Sequence, residues 1–203
     1  MTSQESARVA PNGLKRTVAP TIQAVDLAGF KRHHGIDIPD LDLTLLEYID
    51  AATEWCERYQ CRALRQSTWA AVYDCFPADG VFYLPMPPLI AVSSITYLDA
   101  AGVSQTLDAD VYTVDAISEP GRVALAYGQS WPTTLAQIAA VTITYTAGYT
   151  SATLIPAMTR QAIRLLVSHS YENKEAVAVG APAALVPLSA IDLLEADRMV
   201  EYR

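Results

Sequence analysis

The chain has 203 residues, 51% of them hydrophobic and 18% charged, a composition typical of one folded domain rather than of a disordered chain. No apolar run reaches the roughly 20 residues that a membrane-spanning helix needs, and the N-terminus lacks the apolar core of a signal peptide, so we expect a soluble, non-exported protein. The three cysteines, Cys56, Cys61 and Cys75, form no CxxC pair, and we expect them to be reduced, small and buried.

Charge is distributed unevenly along the chain. Fourteen basic residues stand against 22 acidic ones, which gives a net charge of −8. Between Gln66 and Thr150, Arg122 is the single basic residue, against seven acidic ones. This segment cannot neutralise DNA phosphates, so tight DNA binding through it is excluded. Its acidity suits a wall that DNA passes without adhering, but charge alone favours an ordinary solvated surface.

The N-terminal third predicts an arm followed by two helices. Residues 1–24 are polar and interrupted by proline and glycine, so we expect a flexible arm with little to pack. Asp26 can cap a short helix that runs through His33 and stops at Gly35. Apolar residues at intervals of three and four then predict a helix over about 43–64.

That second helix carries a start signal and an apolar stripe. Asp42 or Thr44 can begin it, Thr44 with Glu47 in capping-box position. The residues expected to face a core are Leu45, Tyr48, Ile49, Ala52, Trp55, Cys56, Tyr59 and Ala63.

Residues 66–150 change to strand-like alternation and predict one antiparallel β unit of about five to seven strands. The prolines of the stretch LPMPPLI precede a strand, where a missing N–H costs no ladder hydrogen bond. Within that strand, a change of face across Ser93–Ser94 predicts a β-bulge. Asp99 to Gly102 predicts a hairpin turn into a short strand.

The C-terminal part predicts two more helices. Pro156 suits a first helical position, and the stripe that follows consists of Ala162, Ile163, Leu166, Val167 and Ser170. The stretch AVAVGAPAALVPL predicts an extended linker, and Ser189 with Asp192 starts a short final helix. The predicted fold is therefore α+β: a helical bundle base (25–65 and 151–177), an antiparallel β-sheet insertion (66–150), and an extended C-terminal arm ending in a short helix (178–203).

No arrangement of residues predicts catalysis. His33 and His34 are adjacent on a helix, so their side chains diverge and make a poor metal pair. His169 has no nucleophile motif near it, and there is no phosphate-binding loop. We expect no catalytic residue, metal or cofactor. The alternative, a small hydrolase or ligand-binding α+β protein, requires a pocket that gathers His169, Glu172 and acidic residues of the sheet.

Residues about 25–177 resemble the head–tail connector proteins of long-tailed bacteriophages and gene-transfer agents, also called neck adaptor or head-completion proteins. The order and spacing of the matching segments are preserved. They are LAGFKRHHGI, LTLLEYIDAATEWCERYQCRAL, STWAAVYDCFP, LPMPPLIAVSSITYLDAAG, YTVD, EPGRVALAYGQSWP, VTITYTAGYT and IPAMTRQAIRLLVSHSYENKEAV.

The resemblance implies a passive structural role in the virion. It implies a dodecameric ring beneath the portal, at the neck between head and tail, assembled in the host cytoplasm. Such a ring extends the DNA channel, lets the genome pass without sequence-specific binding, and offers a docking surface to a downstream stopper or tail-terminator protein. A position as the stopper or tail-completion protein itself is the alternative within the same neck.

Two sets of residues follow from this resemblance as hypotheses. The C-terminal segment of such proteins reaches onto the portal, so docking is expected to use Leu185, Leu188, Leu193, Leu194, Met199 and Tyr202. Deleting residues 185–203 should then abolish docking and leave the fold intact. The channel wall or acidic surface is expected to include Asp99, Asp108, Asp110 and Asp115.

Overall fold

The computed structural model describes residues 10–173 and 188–199. Within them the chain is mixed α and β, with eight strands and four α-helices. It divides into two compact units. The β unit contains residues 10–19 and Gln66–Gly148, and the helical unit contains Pro20–Arg65, 149–173 and 188–199.

The β unit consists of two antiparallel sheets where the sequence predicted one. The larger sheet has the strand order β1-β2-β8-β4-β5 and the smaller one β3-β7-β6. The prolines between β3 and β4 lie where the chain passes from one sheet to the other, since β3 belongs to the smaller sheet and β4 to the larger one. The strands are β1 Gly13–Val18, β2 Ser67–Tyr73, β3 Val81–Leu84, β4 Leu89–Leu98, β5 Ser104–Thr106, β6 Tyr112–Asp115, β7 Gly121–Leu125 and β8 Val141–Ala147.

The alternating strands β2 and β8 form the middle of the larger sheet. They pair antiparallel from Ser67↔Ala147 to Tyr73↔Val141. Every second side chain is buried on both strands, as expected for a sheet that covers a core with one face. Tyr73 and Tyr145 are the largest of these fully buried side chains.

The proline stretch is held by the hydroxyl group of Tyr145 and by a backbone hydrogen bond. Tyr145 Oη donates to the carbonyl of Pro85 at 2.8 Å, and the N–H of Gly148 donates to the carbonyl of Pro88 at 2.9 Å. In β4, the register shifts between Val92 and Ser94, which confirms the predicted bulge. A second shift, between Leu89 and Ala91, was not predicted.

The expected flexible arm contains a strand, so that prediction was wrong for residues 13–18. β1 pairs with β2 from Gly13↔Val72 to Val18↔Thr68. The guanidinium of Arg16 lies 4.7 Å from the ring centroid of Trp69, a cation–π distance. This edge strand is held by backbone pairing and by one arginine, and not by alternating apolar side chains. Its sequence therefore lacks the apolar alternation that predicts a strand.

Helix α1 (Leu27–His34) begins and ends as predicted. The Asp26 side chain accepts from the N–H of Gly29 at 2.7 Å, and Gly35 ends the helix in the left-handed conformation with φ 64°. Glycine adopts this conformation without the steric cost that a side chain brings.

Helix α2 (Asp42–Gln60) begins at Asp42, one of its two predicted starts, and ends about four residues before its predicted end. Its N-cap is Leu41, without a side-chain capping bond, because a 3₁₀ turn leads directly into it and the Asp42 carboxylate pairs with Lys31. The helix ends before Cys61, which is left-handed at φ 52°.

The chain is turned after α2 by a buried carboxylate. Oε1 of Glu57, a residue only 2% exposed, accepts from the N–H groups of Leu64 at 3.0 Å and Arg65 at 3.3 Å. These bonds satisfy two backbone donors of the segment that follows the helix.

Helices α3 (Ala157–Glu172) and α4 (Leu188–Glu195) complete the core of the helical unit. Pro156 is the N-cap of α3 rather than its first helical residue. The predicted α3 stripe is buried except for Ser170, which is half-buried. Among the described residues, no helix is both long and apolar enough to cross a bilayer. The buried core of the helical unit includes Leu45, Ile49, Cys56, Ile163, Val167 and Leu194.

Candidate functional site

The four acidic residues expected on the surface of the β unit lie in turns and at strand ends. Asp99 closes the β4–β5 hairpin, where its carboxylate accepts from Nε2 of Gln105 and from the N–H groups of Ala101 and Val103, at 2.9 to 3.0 Å. These bonds, the one from Gln105 first, lower the pKa of Asp99. Asp108 and Asp110 are exposed in the 3₁₀ turn before β6, and Asp108 accepts from the N–H of Asp110.

Asp115, at the end of β6, is the most strongly engaged of the four. Its Oδ2 accepts from Nε of Arg122 at 3.1 Å and from Oγ of Ser118 at 2.7 Å, and forms an ion pair with Nη2 of Arg122. The guanidinium, followed by Ser118, holds the pKa of Asp115 well below its usual range. Arg122, the one basic residue of Gln66–Thr150, thus forms an ion pair within the β unit. The segment contains no other lysine or arginine that could bind a nucleic acid.

The C-terminal helix is part of the core. Leu194 is fully buried, Leu193 packs against the core at its edge, and Ala190 is also buried. Met199 is half-buried, its N–H donates to the carbonyl of Gln60 at 3.0 Å, and its sulfur accepts from Arg62 at 3.6 Å. The expectation that deleting residues 185–203 leaves the fold intact is therefore wrong, because the deletion removes core side chains.

A buried glutamine connects three helices. Gln60 is completely buried, and its Nε2 donates to the carbonyl of Leu194 at 3.0 Å and to Oγ1 of Thr159 at 3.3 Å. Outside the core, Tyr59 Oη donates to Oε2 of Glu195 at 2.7 Å. These bonds fix α4 against α2 and α3. Of the other residues expected to dock on the portal, Leu188 begins α4, and Leu185 and Tyr202 lie outside the described residues.

The three histidines of the chain line one cleft of about 350 Å³ in the helical unit. His33 and His34 come from the end of α1, and Arg164, His169 and Glu172 from α3. The pocket required by the hydrolase alternative is therefore present in part. His169 and Glu172 line it, but no acidic residue of the sheet is among its lining residues.

A serine and a histidine are in contact in this cleft. Oγ of Ser168 lies 2.9 Å from Nε2 of His34 and 2.8 Å from the carbonyl oxygen of Arg164. The single hydroxyl proton of Ser168 can go to that carbonyl or to His34, and the tautomer of His34 decides which. No group of three or more histidine, cysteine or acidic side chains that could hold a metal occurs among the described residues.

The cysteines differ in exposure. Cys56 is buried as expected, and burial raises the pKa of its thiol to about 12. Cys61 is partly exposed and Cys75 is exposed, so the expectation of burial was wrong for these two. Cys75 lies just after β2, beyond the last paired residue, where the alternating burial of that strand ends.

No protein-family model matches the chain, and no curated protein matches it either. Solved structures of gene transfer agent (GTA) particles do match. A chain in the neck of an empty GTA particle computed with C6 symmetry has a TM-score of 0.75. A chain in the neck of a native GTA particle computed with C12 symmetry has 0.73, and one in the virion of a native GTA particle has 0.72.

These matches extend over nearly the whole of both molecules. In each, the identity is 26%, and the alignment covers 93% of this chain and 96% of the other. Both the β unit and the helical unit are therefore included in the similarity. The resemblance deduced from the sequence is confirmed: the chain is similar in fold and sequence to neck proteins of gene transfer agent particles, and this similarity is consistent with a head–tail neck family.

Proposed function

We propose that the chain is a neck adaptor, a structural virion protein that forms a ring under the portal, extends the DNA channel and carries the next neck or tail protein. The observation that carries this proposal is the match over 93% of this chain and 96% of a chain from a C12-symmetric neck. That symmetry supports a ring of twelve copies. A ring of identical subunits needs two different contact surfaces on each copy.

In this proposal the helical unit is the bundle base of the ring, and the β unit supplies an acidic surface past which the genome moves. Asp99, Asp108, Asp110 and Asp115 belong to that surface. The low pKa values of Asp99 and Asp115 keep both carboxylates charged well into acid. Negative charge repels phosphates over a Debye length of about 8 Å at physiological salt.

We further propose that the C-terminal segment contacts the portal. In the described conformation, Leu194 is inside its own core and Leu193 packs at the edge of that core. Docking through these two side chains therefore requires α4 to leave α2 and α3. Met199, half-buried beyond the end of α4, can reach a partner with a smaller rearrangement.

The stopper or tail-completion role within the same neck remains the second candidate, because it also places the chain in a ring at the head–tail interface. The hydrolase alternative has less support, since no acidic residue of the sheet is among the residues that line the cleft. Turnover of a substrate by the purified chain would favour the hydrolase over the structural roles.

Mixing the purified chain with the portal protein from the same genome tests the adaptor role. Sedimentation and negative-stain imaging should show a ring seated on one end of the portal. Failure to bind at any mixing ratio would contradict the adaptor role, whereas binding only to a preformed portal–adaptor complex would favour the stopper.

A further inference from the structure

The β unit has two ends, and the chain passes to and from the helical unit at one of them. The crossings lie at residues 19–20, 65–66 and 148–149, next to the paired residues Ser67 and Ala147. The opposite end, here called the loop end, therefore carries loops rather than connections to the other unit.

The pairing of the larger sheet defines the loop end. Tyr73 and Tyr97 both pair with Val141, in the last pairs that β2 and β4 form with β8. The loop end consists of the three loops that extend past these pairs, which are residues 74–80, 99–103 and 126–140.

The longest of these loops, between β7 and β8, is held in place by the other two. The ring of Trp131 stacks on the ring of Phe76, with 4.9 Å between their centroids. Thr134 forms an isolated β-bridge with Asp99 in the β4–β5 turn. The side chains that this loop exposes are therefore presented from a backbone that is already positioned.

Three large apolar side chains at the loop end face solvent. Val103 is 54% exposed, Ile138 is 81% exposed and Tyr127 is fully exposed. Single exposed apolar side chains are normal on a protein surface, but these three lie on loops that contact one another. Exposed tyrosine and isoleucine side chains on an ordered backbone are suited to act as anchors in a protein–protein interface.

The loop end is also acidic, and its three loops contain no lysine, arginine or histidine. The 3₁₀ turn before β6 adjoins it, because the N–H of Ala126 donates to the carbonyl of Val111 at 3.0 Å. The hydrogen bonds that these carboxylates accept come from backbone N–H groups and from the amide of Gln105, so they leave the negative charges in place. The acidic residues are Asp74, Asp79, Asp99, Asp108 and Asp110.

We propose that the loop end binds the next neck or tail protein, and that this partner brings a basic surface with apolar pockets for Tyr127 and Ile138. The inference rests on the proposed adaptor role and names the surface and the chemistry by which that role continues. Partner surfaces in specific complexes are complementary in charge, and here the complement of carboxylates is lysine and arginine.

Other occupants fit this end less well. DNA is excluded, because the loop end has no cation that could neutralise a phosphate. The loop end of a second copy would bring like charges together, which is unfavourable. Asp99, Asp108 and Asp110 also belong to the proposed channel surface, and the two roles meet at the exit of the ring, where the channel wall ends and the next protein begins.

Substitutions of exposed residues in the full-length chain test this surface without disturbing the core. Tyr127→Ser and Ile138→Ser should each weaken binding of the next neck or tail protein about tenfold or more, as expected for anchor residues. Asp108→Asn combined with Asp110→Asn should weaken binding at low salt and reduce its salt dependence. Ile117→Ser, at a residue 96% exposed in the β6–β7 turn, and Asp40→Asn, exposed in the helical unit, are matched controls that should leave binding unchanged.

The readout is the affinity for the purified protein that the same genome encodes as the next neck or tail component. It is measured at low and high salt, with the chain alone and with the chain on its portal. Wild-type binding that salt weakens, that the loop-end variants lose and that the controls keep supports the proposal.

Several results would overturn it. They are a wild type that does not bind in either form, loop-end variants that bind like the wild type, and binding that salt does not weaken. Loss of self-association in Tyr127→Ser with partner binding intact would assign the loop end to the contact between copies and also overturn the proposal. Portal binding is measured for the same variants and judges the adaptor role separately, so either idea can fail alone.

Discussion

Replacing Gln60 with leucine tests whether α4 belongs to the folded core. Gln60 is completely buried and joins α2 to α4 through its bond to the carbonyl of Leu194, and to α3 through Thr159. Leucine is similar in size and apolar, so Gln60→Leu removes the hydrogen bonds with little change in volume. Among the described residues, the carbonyl of Leu194 then keeps a long bond, 3.4 Å, from the N–H of Asp197.

The loss of stability expected for Gln60→Leu follows from these contacts. Leaving a buried acceptor poorly satisfied costs about 1–3 kcal/mol, and this loss affects the attachment of α4 more than any other part of the chain. The free energy for opening α4 should fall by that amount. Hydrogen exchange of the α4 amides should then become about fivefold to a hundredfold faster, at about 1.4 kcal/mol for each factor of ten.

Urea unfolding and hydrogen exchange measured by mass spectrometry give the two quantities. Gln161→Leu is the matched control, because Gln161 is exposed on α3 and the same substitution there should leave stability and α4 exchange nearly unchanged. If Gln60→Leu exchanges α4 at the wild-type rate, the attachment of α4 to the core described above is wrong.

Three further predictions concern the β unit and the cysteines. Gly121→Ala should destabilise the chain by about 1–3 kcal/mol in urea unfolding, because the new Cβ would lie 2.5 Å from Cβ of Leu89. Asp115→Asn should lose the stability that the lowered pKa of Asp115 provides; the difference from wild type should be constant at neutral pH and shrink as pH falls below about 4. In thiol labelling at pH 8, Cys75 should react in the native chain, whereas Cys56, with its pKa raised to about 12, should react only on unfolding.

Each of these has a contrary outcome. For the glycine, Gly13→Ala is the control, since its Cβ would meet Val72 at an ordinary 3.8 Å; equal stability of both variants would contradict the close approach of β7 to β4. A stability difference for Asp115→Asn that grows in acid would have the wrong sign. Rapid labelling of Cys56 in the native chain would show that the thiol is not buried.

Features with a local cause could be predicted from the sequence. Asp26 and Gly35 each form the cap expected of their residue type, and the bulge in β4 follows from the change of face in the apolar pattern across Ser93–Ser94. The left-handed Cys61 at the end of α2 could not be predicted, because cysteine has no preference for that conformation. It precedes a turn in which the buried Glu57 carboxylate accepts from the N–H groups of Leu64 and Arg65.

Features that depend on a distant partner could not be predicted. Alternation indicates a strand but not its neighbours, so the division into two sheets was missed. Strand β1 was missed because its sequence lacks alternation altogether. The apolar residues Leu193 and Leu194 indicate a covered face, but their pattern does not say whether the chain itself or a partner covers it. The cleft joins His34 to Ser168, which are 134 residues apart, and no sequence spacing reveals such a meeting.

The most direct test of the central claim is a cryo-EM reconstruction of the neck of particles produced from the genome that encodes this chain. The account predicts a ring of copies, twelve in number, directly beneath the portal, with the β unit and the helical unit both fitting the density. Particles with a complete neck that contains no density for this chain between the capsid vertex and the tail would contradict it.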